Sequence, residues 1–224
     1  MQAHLTHFTF PGTAQRIARV DFSAGTYQPE DLLWLPHASR LANAVNKRCA
    51  EHLAGRIAAA EALRLSGLND YIPGIGLNRV PCWPPGFTGS ITHTDSLALA
   101  TAIPDIPGER CGIGIDAENI INTYDAQDIA GGIVNPAERE LLHVCGLPFP
   151  VALTLAFSAK ESLFKALYRH VGHYFDFSAA EITALGAQTL DLKLVSPLGP
   201  FDAEQSFCAR WNSDGAGLIT LIRL

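Results

Sequence analysis

Three short runs of this chain carry residues whose types and spacing could do chemistry. The first is CGIGIDAE, from Cys111 to Glu118. On a β-strand alternate residues face the same side, about 6.5–7 Å apart along the backbone. Gly114, Asp116 and Glu118 would then share one face, with Ile113, Ile115 and Ala117 on the other. Two carboxylates beside a residue without a side chain make a pocket for a hard cation. Magnesium takes oxygen ligands and often only one or two carboxylates, completing its shell with water and phosphate oxygens. Taken alone, the same spacing also suits a polar strand that merely faces solvent. The run fits the loose dinucleotide pattern G-x-G-x-x-A as well. That reading fails, because Asp116 would put an unneutralised charge inside the phosphate loop and the strand–helix unit it needs is absent.

The second run is FSAKESLFK, from Phe157 to Lys165. On a helix Glu161, Lys165 and Arg169 fall four residues apart in one charged stripe. An exposed E-x-x-x-K pair is common and contributes little. Here the preceding VALTLAFSA is almost wholly apolar, which predicts burial, and buried charges need partners. A pocket holding metal and phosphate would supply them. The third run, WPPGFTGSITHTDSLALA from Trp83 to Ala100, offers Ser90, Thr92 and His93 as donors suited to phosphate oxygens, after a loop shaped by Gly86 and Gly89. A fourth feature is a local basic patch: Arg40, Lys47, Arg48 and Arg56 stand against the single acid Glu51. A helix face in solvent could look the same, but a small phosphate ligand would need such a patch.

These residues need elements to position them. Arg40–Leu68 reads as one long helix, with Leu41, Ala44, Leu53, Ile57 and Ala60 at helical spacing and Gly67 as a stop signal. Pro73–Gly89 reads as loop with short extended pieces, and Ser90–Ile103 as two strands around THTDS. Cys111–Glu118 reads as a strand. Helices follow around Tyr124–Ile129 and around Pro136–Cys145, the latter with Asn135 as cap and Pro136 at its first position. A long helix over Val151–His170 precedes strands near Tyr174–Phe177, Glu181–Ala184, Leu190–Val195, Gln205–Arg210 and Leu218–Ile222. A long helix followed by strands thus occurs twice, which predicts an α+β protein of two halves, 1–108 and 109–224.

The 224 residues, 48% hydrophobic and only 17% charged, can bury a sizeable core. A net charge of −6 argues against a general nucleic-acid binder. The five scattered cysteines form no C-x-x-C pair, which argues against a disulfide framework or structural zinc. The start MQAHLTHFTFPG shows no signal peptide, and the uncharged run Leu141–Ala159 is broken by Pro148 and Pro150. A soluble, cytoplasmic monomer with no membrane span is expected.

GIGIDAE together with FSAKESLFK resembles the paired signature of the phosphopantetheinyl transferases of the larger, surfactin-synthetase-activating type. KRCAEHLAGRIAAAEAL (Lys47–Leu63), VPCWPPGFTGSITHT (Val80–Thr94) and NPAERELL (Asn135–Leu142) are similar to the enterobactin synthase component D branch. The matching pieces run in order from about Leu35 to Leu167, and residues past His170 match nothing recognisable. The resemblance implies two pseudo-symmetric α+β halves with coenzyme A bound between them. It implies Mg²⁺ at Asp116 and Glu118, with Glu161 as third carboxylate or as base, and Lys165 and Lys160 at the pyrophosphate. It further implies His93 at a coenzyme A phosphate, and Arg48 and Arg56 at the nucleotide end with its 3'-phosphate; Arg79 is a weaker transfer.

The implied reaction is attack of a carrier-protein serine on coenzyme A, releasing 3',5'-adenosine bisphosphate. Aryl or peptidyl carrier domains of a siderophore synthetase would be the partners, docking at Pro84–Phe87 or Ile120–Ile133. A metal-dependent nuclease fits less well, since Glu118 is followed by Asn119 and Ile120 where an acid-x-lysine element would stand. A noncatalytic binding module would be favoured by loss of one of the three acids, and all three are present.

Overall fold

A computed structural model of the chain describes residues 1–213 and 217–224. It divides into two compact units, Met1–Cys111 and Gly112–Leu224, so the boundary follows Cys111 and not Gly108. Both units are α+β, each a long helix laid on an antiparallel sheet.

The first unit contains β1 (Ala3–Thr9), β2 (Arg16–Phe22), α1 (Asn46–Leu65), β3 (Gly74–Ile75), β4 (Pro81–Cys82), β5 (Phe87–His93) and β6 (Leu97–Pro104). Its four-stranded sheet has the order β1-β2-β6-β5, with β3 and β4 paired separately. Ala, Leu, Arg and Glu in α1 are strong helix formers. The face it buries is built largely from Ala50, Ala54, Ala58 and Ala62, which pack against Ala18, Val20, Ala98 and Ala100 of the sheet. Small side chains on both sides let helix and sheet approach closely. Leu63 is fully buried and contributes about 1.5–3 kcal/mol. Beyond α1, Gly67 takes the left-handed backbone (φ 97°) and the Leu68 N–H closes onto the Leu63 carbonyl at 2.9 Å.

The second unit contains β7 (Ile113–Asn119), α2 (Thr123–Ile129), α3 (Pro136–Val144), α4 (Phe149–Val171), β8 (Ala180–Leu185), β9 (Thr189–Leu194), β10 (Ser206–Ser213) and β11 (Gly217–Arg223). The sheet order is β7-β11-β10-β9-β8. Asn135 caps α3 by accepting from the Glu138 N–H at 2.9 Å, and Glu138 returns the bond to the Asn135 N–H at 2.7 Å. The core joins Leu153, Leu155, Leu163 and Leu167 of α4 to Leu190, Leu192 and Leu218 of the sheet. Among the described residues no helix is long and apolar enough to cross a membrane.

Two expected elements differ. The first long helix begins at Asn46, not Arg40: residues Ala38–Leu41 form a separate 3₁₀ turn, so Arg40 lies outside α1. The stretch Tyr174–Phe177 pairs with no strand among the described residues. Its rings pack onto α4 instead, Phe175 on Phe164 at 4.9 Å and Phe177 on Phe157 at 5.5 Å between centroids. Alternating aromatic residues imitate strand periodicity, but here they serve as a helix cover.

Candidate active site

In the second unit, β7 lies against α4 so closely that a side chain on Gly114 would stand 1.8 Å from the Ser162 carbonyl, and one on Gly112 2.4 Å from that of Ala166. The two glycines of the G-x-G pattern therefore admit a helix backbone. Asp116 follows on the same face of β7, only 3% exposed. From α4, Lys165 Nζ reaches over the strand to Asp116 Oδ1 at 2.7 Å and to the Ile115 carbonyl at 3.2 Å. A solvent-facing polar strand is thereby excluded.

Glu118 and Glu161 complete this neighbourhood. Burial first, then the charge of Asp116, raises the Glu118 carboxyl to about 7, with Lys165 opposing and Glu161 adding to the rise. Burial and Asp116 also raise Glu161, again against Lys165. The three acids are thus within electrostatic reach of one another with a single ammonium among them. Among the described residues no group of three or more His, Cys, Asp or Glu side chains stands arranged to hold a metal ion. The donor set nevertheless suits a hard divalent cation. All its ligating atoms are carboxylate oxygens, and crowded, partly desolvated carboxylates are what such a cation relieves.

Lys160 departs from expectation. Its ammonium is buried against Glu138 Oε1 at 2.7 Å and donates to the Ile133 and Phe177 carbonyls at 3.0 and 3.1 Å. These three acceptors use all of its donors, so it has none left for a pyrophosphate. Glu138 also accepts from the Ile182 N–H at 2.8 Å. The pair ties α3, α4 and β8 together. Adjacent helix residues point about 100° apart, which is why Lys160 and Glu161 serve different surroundings.

The first unit holds a cleft of about 400 Å³, within the usual range for small-molecule sites. Arg48, Arg56, Arg79 and His93 all line it, joined by Arg40 and His52, and Glu51 is the one carboxylate in its lining. Arg48 donates from Nη1 to His93 Nε2 at 2.9 Å, which requires the neutral imidazole with its proton on Nδ1. Glu51 Oε2 lies 3.6 Å from Arg48 and 3.9 Å from His93 Nδ1. Arg56 is only 5% exposed; Nη2 donates to the Gly74 carbonyl at 3.0 Å, and Nε has no hydrogen-bond partner among the described residues. Burial, with Arg48 adding to it, lowers its pKa to about 10, so it still carries its charge at neutral pH. Arg79, which lines the cleft, sits in left-handed backbone (φ 64°), at a cost of about 1–3 kcal/mol that its surroundings must offset.

Thr92 does not join this cleft. On β5, Ile91 and His93 face it, while Thr88, Ser90 and Thr92 alternate to the opposite, buried side. Sequence reasoning missed His52, whose pKa burial and the neighbouring Arg56 pull down to about 3, and whose Nε2 meets His37 Nε2 at 2.9 Å. The signal was available: positions 48, 52 and 56 form one stripe on α1.

The cleft of the first unit thus sets four arginines against one glutamate in its lining. In the second unit Asp116, Glu118 and Glu161 lie within electrostatic reach of Lys165. Residues 36–103 match the profile described as the 4'-phosphopantetheinyl transferase N-terminal domain, and residues 112–213 match that of the 4'-phosphopantetheinyl transferase superfamily. Enterobactin synthase component D of Salmonella typhi is 44% identical over 217 residues, covering 97% of this chain and 89% of that protein. The Escherichia coli K12 protein of the same name is 47% identical over 161 residues, 72% of this chain and 75% of its own. The 4'-phosphopantetheinyl transferase Svp of Streptomyces mobaraensis is 33% identical across 88% of this chain and 80% of its own. With both units matched, the chain belongs to the 4'-phosphopantetheinyl transferase superfamily and is an enzyme of that kind.

Proposed function

We propose that the chain moves the 4'-phosphopantetheine arm of coenzyme A onto a serine of an apo carrier protein, using Mg²⁺ and releasing 3',5'-adenosine bisphosphate. The observation that carries this reading is the pairing of Lys165 with Asp116 beside Glu118 and Glu161. Phosphoryl transfer needs alignment and charge neutralisation more than covalent help. The acids Asp116, Glu118 and Glu161 would hold the cation, which when bound neutralises charge on the diphosphate oxygens.

The other steps belong to side chains. Arg48, Arg56, Arg79 and His93 grip the nucleotide end, where the unpaired Arg56 Nε gives a 3'-phosphate a ready donor. The serine oxygen forms its bond to the phosphorus bearing the pantetheine arm as that atom's bond to the oxygen bridging the two phosphates breaks. Lys165 stabilises the charge that builds on the departing diphosphate oxygen. Glu161 either accepts the serine proton or completes the cation's ligand set. Its raised pKa suits the first role; metal titration of Glu161→Gln separates the two.

Relatives named for enterobactin synthase point to carrier domains of a siderophore synthetase as acceptors. Tyr124 and Ile129 of α2 stand exposed and offer such a domain apolar contact. Mass spectrometry of an apo aryl or peptidyl carrier domain incubated with coenzyme A and Mg²⁺ tests the whole reading. The expected result is a gain equal to one phosphopantetheine arm at the serine, abolished by chelator. An unmodified carrier under these conditions, across several carrier types, overturns it.

A further inference from the structure

Thr220 of β11 stands directly opposite Asp116 of β7 in the antiparallel ladder, and such partners project from the same face. It is completely buried, as are Ser158 and Ser162 of α4. The three hydroxyls converge. Thr220 Oγ1 donates to the Ser158 carbonyl at 2.9 Å. Its two lone pairs then accept from Ser158 Oγ at 2.9 Å and Ser162 Oγ at 2.7 Å. One proton and two lone pairs are all that a hydroxyl has, so Thr220 is fully used. Ser162 Oγ also lies 3.2 Å from the Thr220 carbonyl.

This network crosses from sheet to helix at the level of Asp116, and Ser162 immediately follows Glu161 in the chain. The glycine contact at Gly114 sets how near α4 can come to β7, but a bare backbone contact does not stop the helix from sliding or turning. Directional hydrogen bonds to Thr220 do. The geometry points to Thr220 as a positioning residue of the acid cluster: its hydroxyl fixes the rotation and height of α4 over β7, and so the placement of Glu161 relative to Asp116 and Glu118. It touches neither substrate nor cation.

This inference rests on reading those three acids as the cation site, and the test keeps the two apart. Mn²⁺ binding to the purified full chain, followed by electron paramagnetic resonance without coenzyme A, is compared for wild type, Thr220→Val, Thr220→Ser and Asp116→Asn. Thr220→Val keeps the volume and removes the hydroxyl. It should weaken Mn²⁺ binding by about tenfold, as loss of a supporting partner behind a ligand does. Thr220→Ser should restore it, and the KM for coenzyme A should change little in either. A folded Thr220→Val that binds Mn²⁺ like wild type while Asp116→Asn does not overturns the positioning role alone. If Asp116→Asn also binds Mn²⁺ normally, the acid-site reading fails and takes this inference with it. Should Thr220→Val fail to fold, Ser162→Ala decides by the same criteria.

Discussion

At the scale of single residues, the proposed chemistry of the second unit rests on four charged groups, Asp116, Glu118, Glu161 and Lys165. Asp116→Ala should cut turnover by about 100-fold or more while leaving circular dichroism unchanged, since it removes an acid aimed at the reacting charge. A variant with near-normal turnover would dismiss the cation site. Glu118 permits a second test. Its carboxyl is raised from 4.5 to about 7, so the folded chain binds that proton more tightly than the unfolded chain. Stability should therefore fall as pH rises from about 4.5 through about 7. In chelator, the Tm of the wild type should drop across this window more than that of Glu118→Gln; parallel curves would rule out the crowded environment.

At the scale of elements, the contact between β7 and α4 governs what these residues can do. Gly114→Ala forces a methyl into the Ser162 carbonyl, so α4 must shift or rise. We expect a loss of about 1–3 kcal/mol in urea unfolding, or more, together with a drop in kcat. Gly131→Ala, which meets nothing within 4 Å, should be neutral in both and serves as the control. This contact also explains what the sequence disclosed. The proposed site residues Asp116, Glu118, Glu161 and Lys165 were legible because strand and helix periods place them on single faces. Thr220 was not, because its hydroxyl partners Ser158 and Ser162 lie 62 and 58 positions away, on another element. Lys160 was misread because motif adjacency says nothing about which way a helix turns it. The strands β1 and β2 passed unnoticed: β1 is a sheet edge, mostly exposed, with His4, Thr6 and His7 diluting any apolar alternation.

At the scale of the whole molecule, an overall charge of −6 conceals a cleft lined by four arginines and one glutamate. The division of labour between the two units should appear in kinetics. Arg56→Gln in the first unit should raise the KM for coenzyme A with a smaller effect on kcat, whereas changes at Lys165 in the second should lower kcat. Equal effects on both parameters from both units would contradict separate binding and chemical roles.

The orphaned Nε of Arg56 has one more consequence. On the proposed reading, a phosphate arriving at this buried cation would relieve an electrostatic penalty of the unliganded chain and so link occupancy to folding. Added 3',5'-adenosine bisphosphate should slow digestion by a nonspecific protease, and Arg56→Met should lose that protection. In a cell, the lifetime of the chain would then follow its nucleotide supply: molecules without a ligand would be cleared first, and abundance would track demand without any dedicated regulator.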